Sequence, residues 1–164
     1  MSVNKFQPHV LVLPEDDANS QLANGFLLDS HLIPNRQIQV VEEAGGWTDV
    51  LKCFKSDHLA GMNRYPGRHV VLLIDFDGKL ERLTEVKAGI PEHLSDRVFI
   101  LGALTEPEAL KQASLGSYEE IGLAMAKDCR EGTNTIWGHD LLRHNATEVD
   151  RLRQHVRPIL FPSN

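Results

Sequence analysis

Val70-Val71-Leu72-Leu73-Ile74 is a run of five apolar residues, entered through His69 and closed by Asp75-Phe76-Asp77-Gly78. A strand with one face in water alternates apolar and polar residues, whereas one that is apolar at every position is covered on both sides, as in parallel sheets. Residues 69–74 therefore read as a central parallel strand, and the rest of the chain is organised around it. Upstream, His9-Val-Leu-Val-Leu13 reads as a first strand, followed by Pro14-Glu15-Asp16-Asp17 and an amphipathic segment reaching about Asp29, with Leu22 and Phe26 at helical spacing and Asp16 or Asp17 as its cap. Gln37-Ile-Gln-Val-Val41 alternates as a second strand, and Gly45-Gly46 turns into a helix over Trp47–Phe54. Downstream, a short helix is expected from Lys79 to about Lys87, then a loop at Pro91 and a fourth strand over Arg97–Leu101. Glu106-Pro107-Glu108 opens a further helix, with proline near the first turn where its missing N–H costs nothing. Beyond Gly116 the chain reads as helical, including Tyr118–Arg130 and Thr147–Val156.

Strands alternating with helices predict an α/β fold. The expected architecture is a single domain over 1–164, a three-layer sandwich around a mostly parallel central sheet. Its core spans 8–112, and the remainder, 113–164, is mostly helical. The length of 164 residues, with 41% hydrophobic and 24% charged residues, suits one globular domain. The first apolar run is too short to span a bilayer or to act as the apolar segment of a signal peptide, so no membrane association and a cytoplasmic setting are expected. Cys53 and Cys129 fit no metal or redox spacing and are expected to be free thiols, Cys53 on the inner face of its helix.

The formal charge of −6 argues against broad electrostatic binding of nucleic acid, but it leaves room for a nuclease, because a bound cation reverses the sign at an acidic site. The basic stretch from Arg143 to Arg157 reads as a solvated helix face, and His139 and His144, five residues apart, as surface rather than ligands. Trp47 and Trp137 are expected to pack against the sheet.

Ligands of open parallel sheets bind at the carboxyl ends of the strands. Three strands end in acids there: Glu15 after the first, Asp75 and Asp77 after the third, Glu106 and Glu108 after the fourth. A lone glutamate in such a place reads first as a helix cap. Two aspartates closing a fully apolar strand need a cation or hydrogen bonds to offset desolvation. Alternate residues leave a strand on the same side, so both carboxylates are expected to reach one ion. Oxygen donors without histidine or cysteine favour Mg²⁺ or Mn²⁺ over zinc.

Leu13-Pro14-Glu15-Asp16-Asp17, Ala44-Gly45-Gly46-Trp47, Ile74-Asp75-Phe76-Asp77-Gly78 and Glu106-Pro107-Glu108, in that order and at those strand ends, resemble a Toprim domain. The resemblance is to nucleases of the OLD (overcoming lysogenization defect) type and their small stand-alone relatives, and covers about residues 8–112. It implies a Rossmann-like sheet and divalent-metal-dependent phosphodiester cleavage or nucleic-acid processing. Glu15 would act as metal ligand or general acid/base, Asp75 and Asp77 would hold Mg²⁺, and Glu106 or Glu108 would complete a second metal site. It also implies nucleic acid as substrate and an ABC-like ATPase as partner in trans, since the chain has no GxxxxGK[ST] of its own. Asp16 and Asn19 stand where family members often have glycine and aspartate, which keeps a non-catalytic, regulatory Toprim-like module open as an alternative. Two others stay open. Leu73 to Leu80 resembles the first motif of HAD-type phosphatases, with Asp75 as nucleophile and Asp77 as acid/base. The stretch from Val10 to Leu28 resembles the start of a receiver domain, whose switch threonine Thr105 would imitate.

Overall fold

The computed structural model describes residues 2–34 and 36–162. Four strands, β1 (His9–Pro14), β2 (Ile38–Val40), β3 (Arg68–Leu73) and β4 (Val98–Leu101), pair in parallel throughout, in the order β2-β1-β3-β4. The central strand is β3, hydrogen-bonded to β1 on one side and β4 on the other, so the expected α/β fold with 69–74 inside the sheet is what the chain adopts. The sheet has two interior faces. Val10 and Val12, Val71 and Leu73, Phe99 and Leu101 point to one; Leu11 and Leu13, Val70 and Leu72, Val98 and Ile100 point to the other. Alternation along each strand is what fills both layers from runs that read as uniformly apolar.

The first face is covered by α1 (Asp17–Phe26), α5 (Pro107–Gln112), α6 (Tyr118–Glu131), α7 (Ala146–His155) and α8 (Arg157–Leu160). The second is covered by α2 (Trp47–Cys53), α3 (Leu59–Arg64) and α4 (Glu81–Ala88). Residues beyond 112 thus complete one of the three layers. The closest helix pair is α1 with α6: a Cβ on Gly122 would overlap the Leu22 carbonyl oxygen, and one on Gly25 the backbone of Glu119. Only glycine permits backbones this near. At the β4 edge, Arg151 of α7 donates to the Val98 carbonyl (3.2 Å), and buried Glu148 meets both Arg151 and Lys87 of α4 (2.5 Å each), so the strand edge is covered rather than open.

Two segments depart from the sequence reading. The helix expected to stop at Phe54 continues through a π turn (Phe54–His58) into α3; Cys53, half-buried, packs against the second core face as expected, with its thiol also donating to Asp57 (3.3 Å). His144 is not a surface residue: its Nε2 hydrogen-bonds the Gly102 carbonyl (2.8 Å), and its ring meets Phe76 edge-on at 5.0 Å. Beside it, Asn145 grips Gly102 through both N–H and C=O (3.1 and 3.0 Å). The chain after α6 therefore backs the loop that follows β3. Cys129 is buried and both cysteines are free. Trp137 is buried in the first core face, and Trp47 packs against the second. Among the described residues, no helix is long and apolar enough to cross a membrane.

Candidate metal centre

In the order β2-β1-β3-β4, successive connections run to opposite sides of β1, which places the topological switch point between β1 and β3. Glu15 follows β1, and Asp75 lies two residues beyond β3. Parallel pairing extends past both strands, with the Glu15 N–H donating to the Leu73 carbonyl (2.8 Å) and the Ile74 N–H to Leu101 (2.9 Å). The two acids therefore meet at the carboxyl edge: the Asp75 N–H donates to Glu15 Oε2 at 2.6 Å. Both residues are 8% exposed.

Asp16 is the third member. As N-cap of α1 it accepts the Asn19 N–H through Oδ1 (3.0 Å), the ordinary role of an aspartate there. Its carboxylate also converges with the other two, and one oxygen from each of Glu15, Asp16 and Asp75 lies within 4.8 Å of the others. Asn19, fully buried, spans the group: its Nδ2 donates to Asp16 Oδ1 (2.9 Å) and to Asp75 Oδ1 (2.8 Å). A neutral amide thus lies between two acids where it offsets part of their repulsion. Its own Oδ1 is buried with no partner among the described residues.

The electrostatics follow from this crowding. Burial pushes the Asp75 carboxyl up to about 7, against the Asn19 amide that favours the anion, and the charges of Glu15, Asp16 and Asp77 add to the rise. Glu15 is raised as well, first by burial, opposed by the Asp75 N–H, and further by Asp16 and Asp77. Three carboxylates in a half-dry site, with oxygen donors only, can hold a divalent cation. The donor set fits such an ion, whose positive charge would supply what the buried anions lack.

Asp77 does not join this cluster. The chain leaves strand geometry there: Asp77 adopts φ 49° and Gly78 φ 74°, with their N–H groups donating to Thr105 and Leu104 carbonyls. The same-side rule for alternate residues ends with the strand. The Asp77 carboxylate instead accepts from Arg82 of α4 (2.7 Å), whose Nη1 also donates to the Asp75 carbonyl (2.8 Å) and whose guanidinium lies 4.4 Å from the centre of a Trp47 ring. Arg82 is itself 7% exposed. Glu106 is the residue before α5 and makes no side-chain cap, Glu108 is exposed in its first turn, and neither carboxylate lies in the cluster. Glu108 borders it through Tyr118, whose phenol is raised by burial, then by Glu108, Asp16 and Asp75, and whose ring carries Lys111 Nζ at 4.6 Å.

Sequence reasoning had Glu15 and Asp75 but missed Asp16 as more than a cap, had Trp47 only as a packing residue, and missed Arg82 and Tyr118 altogether. A cap aspartate directly after a glutamate at a strand end was the available signal for the first; nothing local marks the others. No protein-family model matches the chain, and no curated protein or solved structure matches it.

Proposed function

We propose that this chain is a Toprim-like phosphodiesterase that acts on nucleic acid with Mg²⁺ or Mn²⁺ as cofactor. The observation carrying the reading is the meeting of buried Glu15 and Asp75 from separate strands at the switch point, with burial and then the neighbouring acids raising Asp75 to about 7. Glu15, Asp16 and Asp75 would hold the cation. When bound, it supplies Lewis-acid polarisation of a phosphoryl oxygen. Glu15, with one oxygen taken by the Asp75 N–H, has the other available to move a proton at the attacking or leaving oxygen. Arg82 neutralises Asp77 and fixes the loop that presents Asp75. By the resemblance, Glu106 and Glu108, of which Glu108 faces Tyr118 at the border of the cluster, are the candidates for a second cation. The resemblance adds an ABC-like ATPase in trans, and two unpaired cysteines support a cytoplasmic setting.

One observation favours a second reading, cation binding without cleavage. Asp77 is already paired with Arg82, and Asn19 bridges two of the three ligands. The phosphatase alternative draws less support, because Asp75 follows the third strand rather than the first and its acid/base candidate is the ion-paired Asp77. A receiver would need a lysine after a fifth strand, and the sheet among the described residues has four. The test is incubation of the purified protein with plasmid and with RNA, alone and with any ABC-like ATPase encoded beside it. Cleavage should require Mg²⁺ or Mn²⁺ and disappear in Glu15→Ala and Asp75→Asn. Stabilisation by metal without cleavage would establish the regulatory reading instead; hydrolysis of a small phosphomonoester through an aspartyl-phosphate would establish the phosphatase.

A further inference from the structure

At the opposite end of the sheet, where β1 and β3 begin, the charge reverses. Tyr65 stands just before β3, and three cations surround its ring: Arg68 with its guanidinium carbon 4.9 Å from the centroid, Arg64 at 5.6 Å and Lys5 Nζ at 5.7 Å. Phe6 meets the same ring edge-on at 6.1 Å and is itself 84% exposed, the most exposed large apolar side chain described. Among the described residues, Lys5, Arg64 and Arg68 take part in no ion pair with a carboxylate, in a chain whose net charge is −6.

The platform is braced from behind. Arg97 donates to the carbonyls of Tyr65 (3.2 Å), Arg68 (2.8 Å) and Met62 (3.0 Å), tying the turn before β3 to the end of α3. Arg68 is aimed by fully buried His9, whose Nε2 accepts from Arg68 Nε at 2.9 Å while its Nδ1 donates to the Gln7 carbonyl at 2.7 Å. That arrangement uses a neutral imidazole, so the positive charge belongs to the arginine. Gly61 leaves the room the guanidinium occupies: a Cβ there would overlap Arg68 Nη1.

Cations that no carboxylate neutralises attract phosphate, and an exposed ring with a free face stacks with any base; together they are the elements of sequence-tolerant single-strand binding. We infer that Phe6, Tyr65, Lys5, Arg64 and Arg68 form a binding surface for single-stranded nucleic acid, at the amino edge of the sheet. The surface is independent of the acidic cluster and needs no metal. The six residues of β1 separate the two places by about 20 Å through the core, so the surface is a site apart from the acidic cluster.

Fluorescence anisotropy of a labelled dT20 in low salt with EDTA tests this. Saturable binding is expected, with log K falling against log salt at a slope of about −2 for three phosphate contacts. Phe6→Ala should weaken binding about fivefold or more at an unchanged slope, since it removes stacking and no charge. Lys5→Ala and Arg64→Ala should each make the slope shallower by about 0.7. All three side chains are exposed, and unchanged melting of each variant verifies that the fold is kept. The inference is overturned if the three variants bind dT20 as the parent does, if binding requires Mg²⁺ or Mn²⁺, or if phosphatidylglycerol vesicles are bound and dT20 is not. Binding as described, with no cleavage under any metal, leaves this surface standing and removes the phosphodiesterase reading. Cleavage with dT20 affinity indifferent to the three variants does the reverse.

Discussion

The same two strands, β1 and β3, carry Glu15, Asp16 and Asp75 at one end and Lys5, Arg64 and Arg68 at the other. The ends differ less in sign than in how each charge is accommodated. At the carboxyl edge the acids are largely out of water, held by a backbone N–H and one bridging amide, and their charge is costly. At the amino edge the cations lie around an aromatic face; Lys5 and Arg64 are exposed and carry little desolvation cost, and only Arg68 is partly out of water. A buried, crowded charge answers to protons and metal ions, whereas exposed charge answers to salt. One end should therefore titrate and the other should screen.

The largest expected effect breaks the pair apart. Glu15→Ala should reduce metal-dependent cleavage by about 10²–10⁴-fold, the usual cost of losing a general acid/base, and leave dT20 affinity within about twofold in EDTA. Nuclease assays and anisotropy on one preparation read both. If the two fall together, the ends are not separate sites.

Next is Asn19→Asp, which exchanges the bridging donor for a fourth anion. Two hydrogen bonds to carboxylates are lost, so the metal-free protein should lose about 2–4 kcal/mol in urea melts. Calorimetric titration should show Mn²⁺ bound more tightly than by the parent. Weaker Mn²⁺ binding would mean that Asn19 is a ligand rather than a substitute for the ion.

The pH response is smaller and specific in sign. Asp75 titrates near 3.8 when unfolded and near 7 in the fold, so the native state binds its proton more tightly. The stability this contributes is complete below about pH 4 and is lost as pH rises through 7. Metal-free melting temperature should thus fall over that window, Asp75→Asn should flatten the fall, and the increment given by Mg²⁺ should be larger at pH 8 than at pH 5.5. A parent and variant with parallel pH profiles would remove Asp75 from the account.

Smallest is Gly61→Ala at the other end. Alanine is favoured within a helix by about 1 kcal/mol, and the displaced group is the mobile tip of Arg68, so stability should stay within about 1 kcal/mol of the parent. The dT20 affinity should nonetheless drop about threefold, read by the same anisotropy assay, because Arg68 is re-aimed.

Much of this was legible in the sequence, for reasons that can be named. Val70 to Ile74 announces a strand covered on both faces because burial leaves no polar position, and an acid directly after such a run has nowhere to go but the sheet edge. Glu15 and Asp75 were found that way. Asp77 was placed with them on strand periodicity, which holds only while the backbone is extended; its left-handed conformation turns the carboxylate to Arg82. Arg82 itself lies on an amphipathic helix with nothing to distinguish it from a solvated arginine. The cluster around Tyr65 joins residues 5 and 6 to 64–68 through the pairing of β1 with β3, a proximity that local pattern does not encode. The basic residues of the last 22 positions drew attention in the sequence, yet Arg151 and Arg153 there are occupied with backbone carbonyls and carboxylates of the fold itself.

The backbone contact between α1 and α6 has a bearing on how the molecule is made. During synthesis β1 to β3 and all three cluster acids emerge within the first 75 residues, but the helix bearing Asn19 and capped by Asp16 is seated against Gly122. Pairing of β1 with β3 is enough to bring Glu15 to Asp75, but the seat of α1, and with it Asp16 and Asn19, waits for α6. The third acid and its bridging amide thus depend on a helix that begins more than 40 residues after Asp75, so a chain cut short before Tyr118 should keep two of the three acids together and lose the register of the third.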